Sequence, residues 1–63
     1  MEMEKLIAAA RKYTNTQVTD AIRLLGGGML DEDKRMVRGA LIEVYAERFG
    51  DEAADKLMDE IGL

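Results

Sequence analysis

Apolar residues recur at three- and four-residue spacing along nearly all of the 63-residue chain, and no proline interrupts them. That spacing follows the roughly 3.6-residue turn of an α-helix and not the alternation of a strand, so several amphipathic helices must bury their faces against one another. The expected fold class is therefore all-α. The breaks fall at glycines, three in a row at 26 to 28 and one at Gly50. They divide the chain into a compact bundle of four short helices, at about 2–13, 15–25, 32–49 and 52–61, forming one domain over residues 1–63.

Each boundary carries a local signal. Thr14 followed three residues later by Gln17 has the form of a capping box, with Tyr13 and Val18 placed as a hydrophobic staple. Gly26 stands where a helix C-terminus needs a residue with positive φ, and Gly27 and Gly28 allow a tight reversal after which Met29 or Leu30 can fold back on the helix end. Asp31 is expected to cap the third helix, with Glu32 and Asp33 in its first turn, where the helix dipole favours carboxylates. By the same logic Gly50 ends the third helix and Asp51 caps the fourth.

The third helix is the longest and should lie at the centre. Val37, Ala40, Leu41, Val44 and Tyr45 make one broad apolar face, but Ile42, Ala46 and Phe49 continue around the far side. Two arrangements satisfy this pattern. Either the other helices wrap the third completely, or Ile42, Ala46 and Phe49 form an exposed patch of the kind that marks an interface. Small size favours the second, because a chain of this length buries only about 60% of the surface its unfolded form exposes. Such domains commonly add disulfides, a metal or a partner. With neither Cys nor His, disulfides and a structural zinc site are ruled out. Association remains, so Ile42, Ala46 and Phe49 are the expected interface anchors of a homodimer.

Chemistry is restricted by what is missing. Without Ser, His or Cys there is no ordinary triad and no imidazole base. Glu43 with Glu47 and Asp55 with Asp59, each four residues apart, could hold a divalent cation between facing helices, but they fall on polar faces where acids serve solubility. No metal and no cofactor is therefore expected. The glycine stretch "GGGMLDEDK" lacks the Gly-Lys-Ser/Thr ending of a phosphate loop, and a calcium loop starting at Asp31 would place Met36 and Ile42 where glycine and an acid belong.

The main alternative to a protein-binding role is a DNA-binding helix-turn-helix built from the second and third helices. Lys34, Arg35 and Arg38 are its candidate DNA contacts, with Arg11, Lys12 and Arg23 available for phosphates. Against it, Asp31, Glu32 and Asp33 occupy the helix end that would approach DNA, and the net charge is −4. A further alternative is nucleic-acid mimicry. Residues 31 to 63 hold ten acids and five bases, and Glu43, Glu47, Asp51, Glu52, Asp55, Asp59 and Glu60 could block a basic cleft. The acidic "MEMEKL" start does not resemble a secretory leader, and no apolar run approaches a membrane span. The expectation is a small, non-enzymatic regulatory or adaptor protein of the cytoplasm, partnered by itself or another protein, with nucleic acid the lesser candidate and no membrane.

Overall fold

A computed structural model describes residues 2–63 and contains four helices: α1 (Met3–Ala10), α2 (Asn15–Leu25), α3 (Glu32–Phe49) and α4 (Asp51–Glu60). The bundle expected from periodicity is present, with α3 at its centre packing against α1, α2 and α4 in turn. Val18, Ile22 and Val44 are completely buried, and Ala10 of α1, Leu41 of α3 and Leu57 of α4 complete the cluster. Every helix thus contributes at least one residue to a single core. Among the described residues no polar or charged side chain is buried, and no helix is long and apolar enough to cross a membrane.

The caps explain where the helices begin. Thr14 Oγ1 accepts from the Gln17 amide at 3.1 Å while the Gln17 side chain accepts from the Thr14 amide at 2.9 Å, which completes the capping box. Asp31 accepts from the Lys34 amide at 2.8 Å in the same way at the head of α3. Thr14 is extended as the cap of α2 (φ −69°, ψ 164°), and α1 stops at Ala10, short of the expected residue 13. Tight bonds from the Lys12 and Tyr13 amides to the Ala9 and Ala10 carbonyls close its end.

The start of α4 departs from expectation. Asp51 is not its cap: Gly50 both terminates α3 and precedes α4, Asp51 is the first helical residue, and no side chain caps the turn. A one-residue joint leaves no place for a separate capping residue, so Asp51 and Glu52 act only as favourable first-turn charges.

The three glycines have unequal roles. Gly26 adopts φ 67° and ψ −170°, a region essentially closed to residues with a Cβ. Gly27 is required for a different reason. A Cβ there would stand 2.1 Å from the Ile61 carbonyl oxygen, because the α2–α3 loop lies directly on the end of α4. An added Cβ at Gly28 meets nothing within 4 Å. Beyond the glycines Leu30 is half-buried, whereas Met29 is fully exposed.

Candidate functional site

Helix α3 is covered on three sides and open on the fourth. Ile42 and Ala46 stand half-buried along the floor of a groove of about 430 Å³ between α3 and α4. Gly39 lines it on the α3 side, and Ala54, Met58 and Leu63 on the other. The small side chains at Ala46 and Ala54 explain why there is a groove here and not a ridge, whereas a Cβ at Gly39 would meet the Met3 side chain of α1 at 3.5 Å.

The three expected anchors are not equivalent. Ile42 and Ala46 share the groove, but Phe49 lies at its end and outside its lining, with its ring centroid 4.6 Å from that of Tyr45 and 45% of the residue exposed. Sequence periodicity pointed to all three; it could not show that Tyr45 holds the Phe49 ring. Met58 and Leu63 were missed, since neither lies on α3. The signal for Met58 was its position among the apolar residues of α4, which distinguishes an inward residue but not whether it meets the core or a groove.

Charge around the groove is sorted by position. Arg35 and Arg38 lie at one end, and Asp51, Asp55 and Glu43 lie along the rim toward the other. No cation approaches Asp51, Asp55 or Glu43 within ion-pair distance among the described residues. Arg38 serves the fold itself, because its guanidinium donates to the Gly26 carbonyl at 2.9 Å and more weakly to that of Gly28 at 3.4 Å, holding the glycine loop to α3. The Arg35 guanidinium makes no hydrogen bond among the described residues, and the residue remains exposed.

The other arginines bind the bundle together. Arg11 donates to both carboxylate oxygens of Glu47, at 2.6 and 3.2 Å. The hydrogen bond and charge of Arg11 hold the Glu47 carboxyl below the usual carboxylate range, and Glu47 in turn raises Arg11. Arg23 reaches Glu60 at 2.9 Å, tying α2 to α4. Arg48 donates to Asn15 and to the Arg11 carbonyl, each at 3.0 Å, and so closes the α1–α2 turn onto α3.

These contacts bear on each sequence-derived candidate. Of the residues assigned to DNA, Arg11, Arg23 and Arg38 are engaged within the chain, which leaves Lys12 in the α1–α2 turn and Lys34 and Arg35 beside Asp31, Glu32 and Asp33. The carboxylates considered for a cation are not gathered: among the described residues no group of three or more acids is placed to hold a metal, and Glu47 faces Arg11 instead. The acids named for mimicry are all exposed, but Glu47 and Glu60 are already paired with arginines. No family model matches the chain, and neither curated proteins nor solved structures show significant similarity to it.

Proposed function

We propose that this chain is a small non-enzymatic regulatory or adaptor domain that acts by binding protein, and that its first partner is a second copy of itself in the cytoplasm. The observation that carries this reading is the open side of α3, where Ile42, half-buried against the core, and Ala46 line an apolar groove beside α4. Apolar surface left concave and rimmed by charge is the form that protein-docking sites take.

Sedimentation velocity across a concentration series tests the reading. The expected result is a concentration-dependent shift from about 7.0 kDa toward twice that mass. Ile42→Asp should hold the protein at monomer mass while its far-UV circular dichroism stays helical, because Ile42 is only half-buried. A wild-type chain that remains monomeric at every concentration refutes self-association.

A further inference from the structure

Resting on that reading, we infer that the second copy docks in one particular way: antiparallel, groove to groove, about a two-fold axis near Ile42, so that Arg35 of each copy meets Asp55 of the other. The lining of the groove carries opposite charge toward its two ends, Arg35 and Arg38 against Asp51 and Asp55, with Asp31, Glu32 and Asp33 standing outside the lining at the head of α3, and the polarity of the lining is what selects the arrangement. Among the described residues Arg35 has no ion-pair partner at the end near the glycine loop, and Asp51 and Asp55 have none toward the α3–α4 joint. Arg35 and Ala46 are separated by about 16 Å along α3, at 1.5 Å per residue. A parallel pairing would set like charge against like at both ends. The antiparallel one sets Arg35 against the acidic rim twice, once from each copy, as an isologous interface requires. This local complementarity has to act against the mutual repulsion of two chains each carrying −4.

A second observation falls into place with the same geometry. Met29 is fully exposed and lines a shallow depression with Arg35, so it projects at the basic end. Phe49, half-exposed, stands at the opposite end of α3 beside Asp51. Antiparallel docking brings Met29 of one copy over Phe49 and Ala46 of the other, giving a thioether an aromatic ring edge and a small-residue seat. The anchors then comprise Ile42 and Ala46 in the groove and Phe49 at its mouth. An interface this short belongs to the weak class, below about 1,200 Å² in total, so exchange between monomer and dimer should be rapid.

Charge reversal tests the geometry, with sedimentation for affinity and native mass spectrometry for composition. Arg35→Glu alone and Asp55→Lys alone should each weaken self-association about tenfold, since each places like charges at both symmetry-related contacts. Mixed in equal amounts, the two variants should form a heterodimer in preference to either homodimer, because both contacts then pair opposite charges. Asp20→Lys, which changes net charge as much on the exposed face of α2, should leave the wild-type composition and stoichiometry unchanged. The chain has no cysteine, so Met29→Cys and Phe49→Cys chains provide a second readout: mixed and oxidised, they should give the cross-disulfide more than either self-disulfide.

The outcomes separate self-association from its geometry. A monomeric wild type overturns both. A dimeric wild type whose reversed variants do not prefer one another, or whose cysteine chains cross-link only to themselves, overturns the antiparallel arrangement and leaves self-association standing.

Discussion

Replacing Gly27 by alanine isolates the close approach between the α2–α3 loop and the end of α4. The new Cβ would lie 2.1 Å from the Ile61 carbonyl oxygen and 2.9 Å from the carbonyl carbons of Ile61 and Gly62, all backbone atoms that no rotamer change can move. The loop must therefore separate from α4. Overpacking of this kind costs about 1–3 kcal/mol. Moving the loop also strains the charged hydrogen bond from Arg38 to Gly26, a class of bond contributing about 1.5–3 kcal/mol. Alanine returns about 0.4–1 kcal/mol by restricting the unfolded chain. With the Arg38 bond weakened but not lost, the net cost is about 2–3 kcal/mol. A domain this small holds only about 3–5 kcal/mol in total, so much of its stability goes. At about 4–8 °C per kcal/mol, Tm should fall by roughly 10–20 °C.

Thermal and urea unfolding followed by far-UV circular dichroism would measure the change, with the urea slope unaltered if the native fold persists. Gly28→Ala is the matched comparison. Its Cβ meets nothing and its φ is not positive, so the same substitution one residue later should raise Tm by a few degrees. If Gly27→Ala is as stable as wild type, or if the two substitutions have the same sign, the loop does not sit on α4 as described.

Three further outcomes are expected. Gly26→Val should lose about 1–3 kcal/mol in the same assay, because φ 67° with ψ −170° is closed to a β-branched residue; unchanged stability would reject that backbone geometry. Leu41→Asp should abolish the cooperative unfolding transition, since Leu41 is 3% exposed and its carboxylate would have no partner in the core, whereas Phe49→Asp should remain folded and lose self-association. Finally, the Glu47 carboxyl is depressed in the folded state, so its contribution to stability is present above the unfolded carboxylate range and is lost as pH falls through the folded value. Tm measured against pH for wild type and Glu47→Gln should differ near neutrality and converge in acid; curves that stay parallel would show that the Arg11 pair contributes nothing.

The helices and their limits were legible because the signals are short-range. Thr14 and Gln17 are three residues apart, as are Asp31 and Lys34, and each pair acts whatever the rest of the chain does. Asp51 shows where such reasoning fails. Its side chain suited a cap, but whether a cap position exists depended on how closely α4 follows α3, and here Gly50 alone makes the joint. For the groove, periodicity identified Ile42 and Ala46 as apolar residues outside the main face of α3, and could go no further. Whether a side chain is covered depends on where a neighbouring helix lies, so Met58 and Leu63 entered the groove only with the tertiary structure.

Arg38 and Gly27 draw the same division at single positions. As a sequence, Arg38 is one base in the first turns of a helix and Gly27 the middle of three identical residues. In the fold, one holds the loop through its carbonyls and the other admits the end of α4. Sequence by itself determined an all-helical chain, the order and approximate length of its four helices, and the faces available for burial, because helix periodicity and capping act over about four residues. Tertiary structure alone decided which arginine meets which acid across 36 or 37 residues, which glycine must be bare, and which side of α3 stays open. Those outcomes depend on the relative placement of packed helices, and no interaction within a single turn can encode that placement.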